Sequence, residues 1–204
     1  MTGNIFWLGH SSIRINGEKI IYIDPWKIRG EQKADLVLIS HSHDDHLSPA
    51  DVKKVQTPDT VIITTGDCAG RLSGTVRVIT PGGTITVDNV SVEAVPSYNP
   101  SKPFHPKHNN WVGFIITMDG TRIYYCGDTD YIPEMDAIQA DIVIAPVGGT
   151  YTMTAEEAAR MVNIIGPKAA IPIHYGDIVG SIEDAERFRE LCDCPVDIKP
   201  VVQG

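Results

Sequence analysis

Three histidines and two aspartates lie within six residues, at positions 41–46 in the sequence His-Ser-His-Asp-Asp-His. The chain has only seven histidines, so a large share of them is concentrated in this stretch. Imidazole and carboxylate groups that converge on one point bind zinc or a similar divalent metal. The cluster therefore predicts a metal site. The alternative interpretation is a polar loop that is merely rich in histidine.

The elements on either side of this cluster would fix its geometry. An apolar run, Leu36–Ile39, directly precedes it and predicts a buried strand. A helix start follows, because Ser48 can cap a helix, Pro49 suits its first position and Asp51 suits its first turn. The cluster is thus a loop between a strand and a helix, and a loop can turn several side chains towards one point.

The pattern His-x-His-x-Asp-His resembles the signature of the metallo-β-lactamase superfamily, in particular small metal-dependent hydrolases related to L-ascorbate-6-phosphate lactonase. The similarity extends from Trp7-Leu8-Gly9-His10-Ser11 to Ile173-His174-Tyr175-Gly176. The resemblance implies a first metal bound by His41 and His43 and a second bound with the help of Asp45 and His46. It also implies that Asp128 bridges the metals and that His174 is the last ligand of the second. Asp44 takes the variable position, where a solvated carboxylate is expected.

The third ligand of the first metal is less defined by sequence. Many members of the family supply it from a His-Thr-Pro-Gly-His sequence, which this chain lacks. The loop from 96 to 110 offers His105 and His108 instead. We expect His105 to be the ligand, because Phe104 and Pro106 make its setting stiffer, and His108 to face the substrate. Alternatively, another donor completes the site and both histidines face the substrate.

Other polar residues have expected roles around the metals. The resemblance implies that Asp24 supports the histidine loop through hydrogen bonds, whereas its alternative role is that of a turn carboxylate. His10 has no derivable role, and a structural histidine is an equal alternative. Lys102, Lys107 and Tyr175 are candidate anchors for an anionic substrate, with solvated surface positions as the alternative.

The composition sets further limits. The chain has 204 residues, of which 42% are hydrophobic and 21% charged, which fits one soluble domain spanning residues 1–204. A net charge of −9 argues against a nucleic-acid partner. No apolar run is long enough to span a bilayer, and no secretory signal is visible. The four cysteines show no disulfide framework, so we expect a cytoplasmic protein. The sequence does not indicate an oligomeric state.

An internal repeat predicts the architecture. The turn signals Asn16-Gly17 and Asp119-Gly120 each predict a two-residue hairpin, and a buried strand and a helix follow each one. The second of these helices is predicted from Thr154, with a capping box to Glu157, and a last helix from Ser181 to about 192. Two similar halves packed sheet to sheet, with helices outside, form an α/β four-layer αββα sandwich, the fold that the resemblance also implies.

The resemblance implies hydrolysis of a small lactone, ester or similar substrate. Two divalent ions, with Zn expected and Mn or Fe possible from the same donors, would lower the pKa of a bridging water and make hydroxide available. Asp45 and Asp128 would orient this nucleophile and take its proton. Two alternatives stay open. Gly127-Asp128-Thr129 also resembles the phosphodiesterase and ribonuclease branch, and a metal-binding sensor without turnover would need the same ligands.

Overall fold

Strands with two apolar faces lie at the centre of this protein. Every residue of the strand Leu36–Ile39 is buried. Because side chains alternate along a strand, Leu36 and Leu38 join one hydrophobic cluster and Val37 and Ile39 another. Such a strand must be covered on both faces, and a second sheet and a helix provide this cover.

The computed structural model describes residues 1–30 and 32–202. Within these ranges the strands are β1 (Ile5–Gly9), β2 (Ser12–Asn16), β3 (Ile20–Ile23), β4 (Leu36–Ile39), β5 (Val61–Thr64), β6 (Thr75–Val78), β7 (Thr84–Val87), β8 (Val90–Pro96), β9 (Val112–Met118), β10 (Thr121–Tyr125), β11 (Ile142–Pro146) and β12 (Ala169–Ile173). The α-helices are α1 (Pro49–Val55), α2 (Gly66–Ala69), α3 (Ala155–Ile165) and α4 (Ile182–Leu191). Short 3₁₀ helices span Lys107–Asn109 and Pro133–Ala137.

The strands form two six-stranded sheets that share a four-stranded pattern. The first has the order β1-β2-β3-β4-β5-β6 and the second β12-β11-β10-β9-β8-β7. In the first sheet, the antiparallel pair β2–β3 is followed by β4 and β5, both added in parallel. In the second, the antiparallel pair β9–β10 is followed by β11 and β12, again in parallel. The repeat seen in the sequence thus corresponds to a repeat in topology.

Two hydrophobic clusters show the layer order. The larger one contains inward-facing residues of both sheets and continues into α3 and α4. The smaller one contains Val52 and Val55 of α1, packed on Val37, Ile39 and Ile62 of the first sheet. Helices therefore cover the outer face of each sheet, and the prediction of an αββα sandwich is confirmed.

The two predicted hairpin turns differ in the structure. Asp119 and Gly120 form the expected two-residue loop, both with positive φ (51° and 70°), and Met118 pairs with Thr121. The two-residue prediction for Asn16-Gly17 is wrong, because Asn16 pairs with residue 20 and the loop comprises residues 17–19. This loop contacts the other hairpin: the Glu18 amide donates to Asp119 Oδ2 at 3.0 Å. A contact between distant segments thus determines the first turn.

The helix boundaries follow the capping signals. The predicted capping box is present at α3, and Ser181 caps α4, which ends one residue before the predicted end at Cys192. The short helix α2 and the 3₁₀ helix at Pro133–Ala137 were not predicted by the sequence patterns. Among the described residues, no helix is both long enough and apolar enough to cross a membrane.

The last described residues contact both sheets. Val196 pairs with Ala170 of β12, and Val201 pairs with Trp7 of β1, both in parallel bridges. The amide of Val202 donates to Trp7 O at 2.8 Å. We call residues 195–202 the C-terminal strap, because they pair with the outermost strand of each sheet at this side.

Candidate metal centre

The candidate donors lie on loops at one edge of the two sheets. The cluster at 41–46 follows β4, and His105 lies in the loop after β8. Asp128 follows β10, and His174 directly follows β12. Strands β4, β10 and β12 each have a parallel neighbour, and the carboxyl end of such strands is the usual place for a site in an open α/β sheet. The topology thus brings four distant segments together.

His41, His43 and His105 form a first group. Each offers one ring nitrogen, and these three atoms lie within 4.8 Å of one another. His41 Nε2 is 3.1 Å from His43 Nδ1. His41 and His105 are buried. The structure therefore places His105 with the two histidines of the 41–46 loop.

Asp45, His46 and His174 form a second group, which also includes His10. Their four ligand atoms again lie within 4.8 Å of one another. His10 Nε2 is 3.0 Å from Asp45 Oδ2, so an imidazole from the loop after β1 holds this carboxylate. His10 is buried and has φ +48°, and its carbonyl accepts a hydrogen bond from the His174 amide. The sequence did not reveal this position for His10.

Asp128 lies between the two groups. Its Oδ2 is 3.4 Å from His105 Nε2 of the first group. The same oxygen is 3.3 Å from His46 Nε2 and 3.1 Å from His174 Nε2 of the second. One buried carboxylate oxygen therefore touches both groups, which is the position that a bridging ligand needs.

Asp24 supports the histidine loop from beneath. Its Oδ1 accepts from the Ser40 amide at 2.8 Å, and its Oδ2 lies 2.8 Å from His46 Nδ1. The Tyr125 hydroxyl also donates to Oδ2 at 2.7 Å, from the second sheet. Asp24 is fully buried and has φ +44°, a conformation that aspartate tolerates better than most residues. A carboxylate bound to the outer nitrogen of a histidine orients that ring and makes it a better ligand.

Burial and charge shape the protonation states of the site. Burial lowers the pKa of His41 well below its usual value, which favours the neutral imidazole that binds metals. Burial alone would raise the pKa of Asp128, but His174 and His46 hold it well below its usual range. Burial opposes a charge on His46, yet Asp128 and Asp24 outweigh it and raise its pKa well above the usual value. The carboxylates here thus attract positive charge, which a metal ion could supply in place of a proton.

The unpaired polar atoms of the site match a metal. His46 Nε2, His105 Nε2 and Asp128 Oδ1 are buried and have no hydrogen-bond partner among the described residues. Buried polar atoms are nearly always satisfied, so a group of such atoms in one place indicates a ligand-binding site. Imidazole nitrogens and carboxylate oxygens suit Zn and other divalent transition metals. The residues present therefore fit a divalent metal.

The other predicted site residues are exposed or are engaged by other residues. His108 is exposed on the 3₁₀ helix. Lys102 Nζ is 2.6 Å from Asp130 Oδ1, and Lys107 is likewise paired with a glutamate. Tyr175 is buried against Trp7 in a neighbouring cavity. The structure brings none of these side chains into the pocket over the donors.

That pocket has a volume of about 460 Å³. Its floor includes donors of both groups, and its walls include residues with no recognisable motif: Trp26, Phe104, Tyr151 and Ile178. Asp44 lies at the pocket too, where it pairs with Arg71 at 2.9 Å. Trp26 follows Asp24-Pro25, and Phe104 precedes His105. In the sequence, only this closeness to predicted site residues could have indicated that Trp26 and Phe104 line the pocket.

Comparisons with known proteins agree with this arrangement. A family model described as a beta-lactamase superfamily domain matches residues 4–174. A UPF0173 metal-dependent hydrolase of Thermoplasma acidophilum is 35% identical, over 92% of this chain and 89% of its own length. The crystal structure of a protein assigned as a metal-dependent hydrolase, from Parabacteroides distasonis, has a TM-score of 0.85 and 33% identity, and the match covers 96% of this chain and 91% of that one.

The fold itself recurs in more distant proteins. Igni18, a metallo hydrolase from the archaeon Ignicoccus hospitalis, has a TM-score of 0.77 at 23% identity, over 96% of this chain and 94% of that one. At this identity the likeness concerns the fold, which is the one described above. The matches at 35% and 33% identity go further, because similarity at that level over about nine-tenths of both chains indicates a common family. The chain belongs to the metallo-β-lactamase superfamily and, within it, to the UPF0173 family of metal-dependent hydrolases.

Proposed function

We propose that this hydrolase holds two divalent metal ions and cleaves a small lactone, ester or similar substrate. The observation that supports the proposal most directly is the position of Asp128 Oδ2, which lies within 3.4 Å of histidines from both donor groups. In this proposal the first ion is held by His41, His43 and His105, and the second by Asp45, His46 and His174, with Asp128 shared. The choice of a lactone or ester rests on the resemblance to L-ascorbate-6-phosphate lactonase.

Bound divalent ions would lower the pKa of water and polarise a carbonyl oxygen. The chain's own carboxylates would then orient the attacking water and move its proton. The Asp45 side chain is 24% exposed and lines the pocket, whereas that of Asp128 is 4% exposed, so Asp45 is the more accessible proton acceptor. His10 holds Asp45 Oδ2 and so fixes the orientation of this carboxylate.

The atoms of the reaction balance without a further reactant. The oxygen of water bonds to the carbonyl carbon, and its proton passes to Asp45. The bond between that carbon and the ester or ring oxygen breaks, and the proton passes from Asp45 to the leaving oxygen. The products are an acid and an alcohol, or a hydroxy acid when the substrate is a lactone.

Zinc is the metal we propose, because the donor groups consist of imidazole nitrogens and carboxylate oxygens, which are common zinc ligands. Mn or Fe would use the same donors. Elemental analysis of purified protein, before and after incubation with Zn or Mn, should give one to two metals per chain. A protein that holds no metal after this treatment would refute the proposal.

The metal-loaded protein should then be assayed with a panel of lactones and esters and with bis-nitrophenyl phosphate. Turnover of a lactone or ester, abolished by a chelator and restored by metal, supports the proposal. Turnover of the phosphodiester alone would place the protein with the phosphodiesterases of this fold. A fully loaded protein that turns over neither class would point to a metal sensor instead.

A further inference from the structure

We infer that the substrate is uncharged away from its reacting group and carries an apolar, aromatic-sized substituent. This inference rests on the proposed function and deepens it. The observation behind it is the composition of the pocket wall. A volume of about 460 Å³ exceeds what a bare lactone ring needs and falls in the usual range for small-molecule sites. The side chains around the donors therefore determine which substituents a substrate can carry.

Ile178 is the least expected part of this wall. It is 54% exposed and has φ +55°, and the Val179 amide bonds back to the Asp177 carbonyl across it. A β-branched residue rarely adopts this left-handed conformation, because its side chain crowds the backbone. A turn of this kind is strained, and strain of this kind concentrates at functional sites. The chain thus holds an apolar side chain in solvent at the pocket mouth at a cost in stability.

An ion pair connects the loops that carry Trp26 and Ile178. Lys27 Nζ lies 3.8 Å from the centre of the Trp26 ring and 2.8 Å from Asp177 Oδ2. Asp177 directly precedes Ile178, so this ion pair ties the loop after β3 to the loop after β12. The indole ring of Trp26 also lies 5.4 Å from the His10 ring. The Lys27 ammonium group is paired with Asp177 and lies over the Trp26 ring. Lys27 is not among the residues that line the pocket over the donors.

Phe104 and Tyr151 supply a second apolar part. Their rings meet edge to face with centroids 4.7 Å apart, a favourable geometry for aromatic pairs. Phe104 is 38% exposed although it directly precedes the buried donor His105. Asn99 Nδ2 donates to the Tyr151 carbonyl, and Asn99 Oδ1 contacts His105 Nδ1. The loop that positions a donor therefore also positions this aromatic pair.

The pocket offers no partner for a remote anion. Within residues 1–30 and 32–202, no lysine or arginine lines it, whereas Asp44 does. Two nearby cationic side chains are already paired. Arg71 donates to Asp44 and to the Ser42 carbonyl, and Lys102 forms an ion pair with Asp130. A phosphate or carboxylate placed against these walls would lose its hydration and gain no counter-charge. An apolar substituent, in contrast, would be stabilised by burial against the aromatic and aliphatic walls.

The test uses three lactones with the same γ-butyrolactone ring: unsubstituted, bearing a γ-phenyl group, and bearing a γ-carboxyethyl group. With the metal-loaded protein, we expect kcat/KM for the phenyl lactone to exceed that for the other two by at least about tenfold. Ile178→Ala should reduce this preference several-fold. Ile164→Ala is the matched control, because Ile164 is a similarly exposed isoleucine on α3, far from the donors. Ile178→Lys should raise turnover of the carboxyethyl lactone, and Ile164→Lys should not.

A binding measurement separates this inference from the proposed function. Calorimetric titration of the metal-loaded protein with 4-phenylbutanoate should give tighter binding than with pentanedioate, which keeps one carboxylate and carries a second in place of the phenyl group, and Ile178→Ala should weaken the former several-fold. Lactone turnover without preference for the phenyl lactone, or preference for the carboxyethyl lactone, would overturn the inference and leave the proposed function intact. Preferential binding of 4-phenylbutanoate without turnover of any lactone or ester would support the inference and refute the proposed function.

Discussion

Three imidazoles of the site are held by an oxygen at Nδ1. His46 is held by Asp24 at 2.8 Å, His105 by Asn99 Oδ1 at 2.7 Å and His41 by Ser40 Oγ at 2.9 Å. In each ring this leaves Nε2 free to face another donor. Orientation of ligands by outer hydrogen bonds is a general feature of protein metal sites. The site is therefore preorganised by the chain itself, and metal binding requires little rearrangement of these rings.

The two histidines of the loop after β8 should differ sharply in their effect on metal content. His105→Ala should weaken binding of the first metal by more than the roughly 10–100-fold that loss of an outer partner causes, because a direct donor is removed. His108→Ala should leave metal content unchanged, because His108 is exposed. Elemental analysis after dialysis against a metal buffer measures both. If His108→Ala strips metal and His105→Ala does not, the assignment is reversed.

Two neighbouring aspartates give a second matched comparison. Asp45→Ala should deplete the second metal more than the first, because His41 and His43 keep the first group intact. Asp44→Ala is the control, since Asp44 is exposed and its carboxylate pairs with Arg71. Metal stoichiometry, followed during titration with a chelator, distinguishes the two sites. Equal loss of both metals from Asp45→Ala would show that the ligands are assigned to the wrong sites.

At the scale of elements, the start of α3 follows from a local capping box. Thr154 Oγ1 accepts from the Glu157 amide at 3.2 Å, and Glu157 Oε2 accepts from the Thr154 amide at 2.9 Å. These bonds satisfy amides that a helix leaves unpaired at its first turn. The helix packs on the second sheet through its buried face, which includes Ala158 and Val162. The cap thus determines where a buried helix begins.

Thr154→Ala should lower the free energy of unfolding by about 1 kcal/mol, because the amide of Glu157 loses its acceptor. Thr154→Ser retains a hydroxyl and is the matched control, with an expected change of only a few tenths of a kcal/mol. Urea denaturation followed by circular dichroism measures both. Equal destabilisation by the two variants would show that the methyl group, and not the cap, matters.

Sequence patterns predicted the elements that depend on neighbouring residues. Leu36–Ile39, the Ser48 cap and the Asp119-Gly120 turn are such cases, because their conformation follows from local periodicity and turn chemistry. The turn at Gly17 was mispredicted, because its conformation depends on the distant hairpin: a Cβ there would lie 2.6 Å from Asp119 Oδ2. Long-range packing decides such positions, and no short pattern encodes it.

The site likewise contains residues that sequence patterns indicated and residues that only the complete fold brings into place. The histidine cluster is a local signal, and the family resemblance led to Asp128 and His174. His10 lies in a stretch that carries the resemblance, but no role followed from it, and Ile178 had no signal. The contact of His10 with Asp45 joins the loop after β1 to the loop after β4, and Ile178 reaches the pocket only because its backbone adopts a strained turn. Both positions are consequences of the complete fold.

At the scale of the whole molecule, the donors come from both sheets. The loop after β4 belongs to the first sheet, and the loops after β8, β10 and β12 belong to the second. The first group combines His41 with His105, and the second combines His46 with His174. Bound metals would therefore cross-link two halves that are distant in sequence, and would stabilise the folded state more than the unfolded one.

Removal of metal should lower the melting temperature. At a free metal concentration about 1,000 times Kd, binding contributes roughly 4.1 kcal/mol, which corresponds to a shift on the order of 10 °C for a chain of this size. Thermal unfolding of metal-loaded protein, with and without a chelator, measures the shift. His108→Ala should show the same shift as the original protein and His105→Ala a smaller one. A melting temperature that does not respond to the chelator would contradict this prediction.

The C-terminal strap has a consequence for how copies of this chain meet. An open sheet ends in a strand with unpaired amides and carbonyls, which can template pairing with another chain. Here Val201 pairs with Trp7 of β1 and Val196 with Ala170 of β12, so one segment covers one edge strand of each sheet. Shortening the chain after Cys194 should cause concentration-dependent aggregation, measured by light scattering, while Lys199→Ala keeps the backbone pairing and should not. If the shortened chain stays dispersed at every concentration, the strap does not protect these edges against aggregation.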